Sequence, residues 1–155
     1  MKALTPLERQ LARRAAREQP LARLILKTFL RRGGPIPVAN IADGSLGGAL
    51  AALDEQDVIR VHAGQIDVAY PFSAAPTPFR VRFPGGRERY ACCATDALGM
   101  APMAGESVEI TSACHHCGAP LHLSASPHGV GANAAGVMVW FGKRVDEACR
   151  AYDSL

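Results

Sequence analysis

The apolar residues of this chain follow two different periods in its two halves. From Leu7, Leu11 and Ala15 to Leu21, Leu24, Ile25, Phe29 and Leu30 they recur at the spacing of one face of a helix. Thr5, with Glu8 following in capping-box register, is expected to open a first helix. Pro20 suits the first turn of a second helix and Gly33-Gly34 its end. Pro35-Ile36-Pro37 reads as a connector, Val38 to Ala42 as a short third helix, and Ser45 as the N-cap of a helix carrying Leu46, Leu50 and Leu53. Val58-Ile59-Arg60-Val61 and Gln65 to Tyr70 then alternate apolar and polar residues around His62-Ala63-Gly64, as a hairpin does. Helices followed by a two-stranded ribbon are the order of a winged-helix domain, which we expect over residues 1–72.

Beyond a linker rich in Pro, Ala and Ser, Pro71 to Pro78, the period shortens. Phe79-Arg80-Val81-Arg82-Phe83 alternates, and Pro84-Gly85-Gly86-Arg87 supplies the turn of a second hairpin. Cys93 to Met100 has helical spacing. Ser107 to Ser112, Leu121 to Ser124 and Val137 to Phe141 read as short strands, and Val145 to Tyr152 as a terminal helix. The expected class is therefore α+β: a winged-helix-like helical unit, then a small mixed sheet with short helices over residues 79–155.

Composition narrows the classes. With 155 residues, 48% of them hydrophobic and 20% charged, the chain has enough apolar surface to fold, which excludes a disordered protein. The net charge of +3 is mild. Arg13, Arg14, Arg17, Arg31 and Arg32 would suit either DNA or a solvated face. The helix near Ser45 to Asp54, which would enter a DNA groove, carries no Lys or Arg and ends in acidic residues, so nucleic acid is not expected as a partner. No apolar run approaches the roughly 18 residues of a membrane helix. Met1 to Glu18 lacks the apolar core of a signal peptide, so the expected location is the cytoplasm. The oligomeric state is not legible.

The cysteines change the picture most. There are 5, an odd number, and four of them fall between Cys92 and Cys117. In a reducing compartment such thiols stay free unless they bind metal or do chemistry. Cys93 and Asp96 lie one helical turn apart, on the same face. A carboxylate there can accept the thiol proton. An anion alone raises a thiol's pKa, so the pair suits proton shuttling, whereas a bound metal would deprotonate the thiol outright. The same residues also suit an ordinary strand end and a capped helix. Cys114-His115-His116-Cys117 is a C-x-x-C, half of a tetrahedral zinc site, which His115, His116, His122 or His128 would have to complete. It opens no helix, which disfavours a thioredoxin-like role. Soft ions such as Hg(II) or Cu(I) need only two or three thiolates and suit the cluster at least as well. Cys149, alone in the terminal helix, reads by itself as a small buried residue.

The string Arg89-Tyr90-Ala91-Cys92-Cys93-Ala94-Thr95-Asp96-Ala97-Leu98 resembles the active-site segment of organomercurial (alkylmercury) lyases, where Tyr-Ala-x-Cys-Ala-x-Asp-x-Leu carries a nucleophilic Cys and a proton-transferring Asp. The similarity continues through Ser107-Val108-Glu109-Ile110-Thr111-Ser112, Cys114, Gly118-Ala119-Pro120 and Ser126-Pro127. The resemblance implies a shortened or divergent member of that family, with its winged-helix-like N-terminal unit. It implies that Cys93 binds the mercury of R–Hg–X and that Asp96 takes the thiol proton and delivers it to the departing carbanion. It also implies that no cofactor is required, mercury being substrate and product ion, and that the partners are an organomercurial or Hg(II) and small thiols. The family uses a second cysteine, for which Cys149 is the positional candidate. Cys92, standing where the lyases commonly carry Trp, and Cys117, an added cysteine, are alternatives. Two further readings stand beside this one. One is a non-catalytic protein of the same fold holding Hg, Cu or Zn through Cys92, Cys93, Cys114 and Cys117; the other is a metal-responsive winged-helix regulator. Asp96 favours the lyase, because a pure chelator has no use for a proton donor at that spacing.

Overall fold

Helix α1 (Pro6–Arg17) opens the structure, a computed structural model that describes residues 6–41, 46–140 and 151–154. Thr5 and Ser45, expected as caps, lie outside the described residues. The chain forms two units, Met1–Tyr70 and Pro71–Leu155.

In the first unit, α1 does not bury the stripe its sequence suggests. Leu11 is 57% exposed and Ala15 is exposed, whereas Ala16 is buried. The reason is Arg13, which forms an ion pair with Asp57 and donates from Nε to Gln56 O at 3.3 Å. That pairing turns the Arg13–Ala16 side of the helix inward. Helix α2 (Pro20–Arg32) begins with its proline in the first turn, as expected. It buries Ala22, Ile25 and Phe29, while Leu24 is half exposed. Gly33, at φ 78°, ends it and donates its N–H to Phe29 O at 2.9 Å.

The expected Pro35–Pro37 connector contributes a strand. Ile36–Pro37, β1, pairs with β3 (Gln65–Ala69), with Ile36 opposite Ile66. Pro37 has no N–H to donate, and an edge strand tolerates that. Val38–Asn40 makes one 3-10 turn in place of the expected third helix. Helix α3 (Gly47–Glu55) buries Leu50 and Leu53. Strand β2 (Ile59–His62) then pairs antiparallel with β3, the expected hairpin. Its two turn residues, Ala63 and Gly64, both have positive φ, the geometry that matches the twist of a tight hairpin.

The second unit starts where a linker was expected. Phe72–Ser73, β4, pairs with β6 (Glu88–Ala91), and Phe72 is fully buried. Thr77 donates from Oγ1 to Ala91 O at 2.6 Å and accepts from Phe79 N at 3.2 Å, so the Pro-rich stretch is tied to the sheet. Strand β5 (Arg80–Arg82) lies between β6 and β7 (Val108–Ala113); β7 pairs with β8 (Pro120–Ser126), and β8 with β9 (Gly129–Val130). These pairings are all antiparallel, which corrects the expected mixed sheet; the α+β class stands. Alternation sends Val81, Val108 and Ile110 inward and Arg80, Arg82 and Glu109 outward. Helix α4 (Ala94–Ala104) covers that apolar face with Ala97, Met100 and Ala101. Gly105, left-handed at φ 70°, ends α4 and donates to Ala101 O at 3.0 Å. The strand expected over Val137–Phe141 does not form at residues 137–140, which have no strand partner among the described residues; Met138 and Trp140 are 89% and 76% exposed. Of the expected terminal helix, residues 145–150 lie outside the described residues, and Ala151–Ser154 is a 3-10 turn. No described helix is long and apolar enough to cross a membrane.

Candidate active site

The Tyr90–Asp96 segment changes from strand to helix at Cys93. Before it, Ala91 donates its N–H to Phe79 O at 2.9 Å and Cys92 donates to Pro71 O at 3.0 Å. These bonds fix the end of β6 and direct the Cys92 side chain into the core, where it is 3% exposed. Cys93 is still extended, at φ −150° and ψ 178°, and forms the N-cap of α4; its carbonyl accepts the Ala97 N–H at 3.0 Å. One side chain is therefore buried structure and its neighbour is aimed at the first turn of a helix.

Cys93 Sγ donates to Asp96 Oδ2 at 3.1 Å. It also lies 2.9 Å from Thr95 Oγ1. A thiol has a single proton, so with that proton directed at Asp96 the Thr95 hydroxyl is the donor to sulfur. The Cys93 thiol is pushed above its ordinary range. Burial is the largest cause, the Asp96 carboxylate adds to it, and the Thr95 hydroxyl opposes both. Such a thiol keeps its proton until something takes it, and the carboxylate that would do so is already hydrogen-bonded to it. Thr95 was not among the residues singled out by spacing. Its signal was a hydroxyl in the first helical turn, where Ser and Thr side chains serve local acceptors and donors.

The other cysteines are elsewhere. Cys114 and Cys117 sit in the turn between β7 and β8, closed by Gly118 N to Cys114 O and Cys114 N to Ala119 O, both 2.8 Å. The Cys114 thiol is held below the ordinary range, first by the backbone N–H of Cys117, then by that of His116, then by the Cys117 thiol. Among the described residues no three of His, Cys, Asp and Glu converge on a point that could hold a metal ion. Cys92, Cys93, Cys114 and Cys117 thus do not form one four-thiol site, because Cys92 is in the core and the C-x-x-C pair is at a hairpin tip. His122 and His128 are exposed on and beyond β8 and do not complete a zinc site; His115 stacks on Trp140 instead. Cys149 lies outside the described residues. A cleft of about 470 Å³ lined by residues such as Arg82, Phe83, Glu109 and Ser126 does not include Cys93 or Asp96.

The fold and the pair together define an antiparallel α+β unit with a protonated thiol and its carboxylate acceptor at one helix N-terminus. Residues 72–155 match the family model of alkylmercury lyase. The chain belongs to the alkylmercury lyase family. It is 32% identical over 112 residues to an alkylmercury lyase of Staphylococcus epidermidis, covering 69% of this chain and 50% of that protein. The chain thus spans about half the length of this curated relative. Its fold resembles the crystal structure of the mercury-bound form of MerB2, at a TM-score of 0.60 and 20% identity, covering 81% of this chain and 66% of that one.

Proposed function

We propose that this chain carries the carbon–mercury cleaving centre of an organomercurial lyase, with Cys93 as mercury ligand and Asp96 as proton carrier. The observation that supports the reading is the 3.1 Å hydrogen bond from Cys93 Sγ to Asp96 Oδ2 at the head of α4, in a chain of this family. Asp96 takes the thiol proton as Cys93 Sγ forms its bond to mercury and X⁻ leaves R–Hg–X. Protonated Asp96 then gives that proton to the carbon as the C–Hg bond breaks, releasing R–H and restoring the carboxylate. Mercury, left on Cys93, takes a second thiolate as that thiol gives its proton to the restored Asp96 carboxylate, which passes it to water. Two small thiols finally exchange onto the metal, returning their protons to the two cysteines. The Thr95 hydroxyl, donating to sulfur, lowers the cost of the thiolate on the way. A soft metal with thiolate ligands suits this sequence, and a carbon leaving group needs its proton as the bond breaks.

Cys149 is the second thiol in this reading, by its position downstream of Trp140. No resident metal is needed: tetrahedral zinc wants four donors, whereas mercury, as substrate and product, accepts two. Helix α3 carries no Lys or Arg, so nucleic acid has no part in it. The test is release of benzene from phenylmercury in excess small thiol. The expected result is turnover by the wild type and a fall of about 10²–10⁴-fold in Asp96→Asn. Release unaffected by Asp96→Asn overturns the proton carrier; no release from the wild type overturns the lyase reading.

A further inference from the structure

The C-x-x-C turn is not used by that chemistry, and its geometry is not that of an idle loop. Cys114 closes the β7–β8 hairpin, with Gly118 left-handed at φ 71° so that the chain can fold back. The bond from Gly118 N–H to Cys114 O at 2.8 Å closes residues 114–118 into a single turn, so Cys114 and Cys117 share one hairpin tip. The N–H groups of Cys117 and His116 and the Cys117 thiol hold the Cys114 thiol below its ordinary range. The pair forms no disulfide. Cys117 is exposed, so ligands arrive without any part of the core opening. The imidazole of His115, which lies between the two cysteines in sequence, is stacked on Trp140 at 5.9 Å between ring centres with an interplanar angle of 6°.

Two cysteines in one closed turn, with no third donor converging on them among the described residues, are the wrong set for zinc, which takes four ligands, and the right one for a soft ion that is satisfied by two thiolates. We propose that Cys114 and Cys117 form a second, surface mercury site, separate from Cys93, that chelates Hg(II) between two thiolates at the tip of the β7–β8 hairpin. The step is a ligand exchange without oxidation: Hg(SR)₂ meets the two thiols, two S–Hg bonds form, two S–Hg bonds to the small thiol break, and two RSH leave carrying the cysteine protons. The proposal rests on the lyase reading only for naming mercury as the ion this protein meets.

The structure also provides the reporter. Trp140 is the only tryptophan in the chain and stacks on a residue between the two cysteines, so a heavy atom bound there quenches its emission. The experiment uses the full chain carrying Cys93→Ala and Cys149→Ala, which removes the two thiols of the proposed reaction. Cys92 is buried and does not compete. The probe is mercuric ion presented in about 1 mM glutathione, a monothiol level that a pre-positioned dithiol should match through effective concentration. The expected result is one equivalent of mercury retained through gel filtration with Trp140 emission quenched, and loss of both in Cys117→Ser and, separately, in Cys114→Ser. Retention that survives either substitution, retention without quenching, or no retention overturns the site. Closure to a disulfide by oxidised glutathione, with no mercury uptake from the reduced pair, replaces it with a redox role. Benzene release by the wild type is measured alongside: its absence defeats the lyase reading and leaves the mercury count at the turn to be judged by itself.

Discussion

Cys93 and Cys114 are both thiols at places where the backbone turns, yet their protons are held in opposite ways. Cys93 stands at a helix N-terminus, where the dipole would favour a thiolate. Burial and the Asp96 carboxylate outweigh it and keep the thiol protonated. Cys114 stands in a hairpin turn with no helix behind it, and the N–H groups of Cys117 and His116 favour its anion. The lesson is that the secondary structure around a cysteine does not set its reactivity. How deeply the sulfur is buried and what it is hydrogen-bonded to do, and here a donor thiol and an acceptor thiol coexist in one sheet unit.

The most forceful way to break the comparison is to remove the carboxylate. Asp96→Asn is expected to cut benzene release by about 10²–10⁴-fold. The support of the two thiols should differ next. Met100 is fully buried on the face by which α4 packs on the sheet, so Met100→Ala should cost about 2–5 kcal/mol by chemical denaturation. Trp140→Ala at the exposed stack should cost no more than about 0.5–1.5 kcal/mol. If the two costs are equal, the turn is anchored more deeply than its exposure implies.

Alkylation by iodoacetamide, read cysteine by cysteine by mass spectrometry, sharpens the contrast in pH. The half-point for Cys93 should lie above the ordinary thiol range and that for Cys114 below it; Asp96→Asn should move only the Cys93 half-point, downward. Because the raised Cys93 thiol binds its proton more tightly folded than unfolded, its contribution to stability is present below the unfolded thiol range and is lost as pH climbs through the raised value. Cys114 has the opposite sign: its contribution is present above the unfolded thiol range and is lost as pH falls through the lowered value. Gly118→Ala probes the backbone of the turn itself. No atom lies within 4 Å of the added Cβ, so the cost is that of the left-handed backbone alone, about 1–2 kcal/mol in thermal or denaturant unfolding.

What could be read from the sequence was what depends on neighbours along the chain. The hairpin around Ala63-Gly64, the end of α2 at Gly33 and the Cys93–Asp96 pairing are all set by residues within a few positions of one another. What could not be read depended on distant partners. The rotation of α1 is fixed by Arg13 meeting Asp57, 44 positions away. The Pro71–Pro78 stretch looked like a linker because its partners, Tyr90 and Ala91 on β6, are remote in sequence. The four clustered cysteines looked like one site because closeness along the chain was taken for closeness in space. The turn at Gly105 separates α4 from β7 and carries the C-x-x-C to a hairpin tip, away from the first turn of the helix.

The hydrogen-bonding groups that act on the Cys93 proton come from four consecutive residues, Cys93 to Asp96. Acid, nucleophile and modulator therefore form a cassette that the local backbone assembles unaided, at the seam between a strand and a helix. The surrounding sheet and loops bury the thiol and govern which molecules reach it. A protein built this way can remodel its approach surface, and so the size and shape of the organic group it admits, while the proton-handling unit stays unchanged.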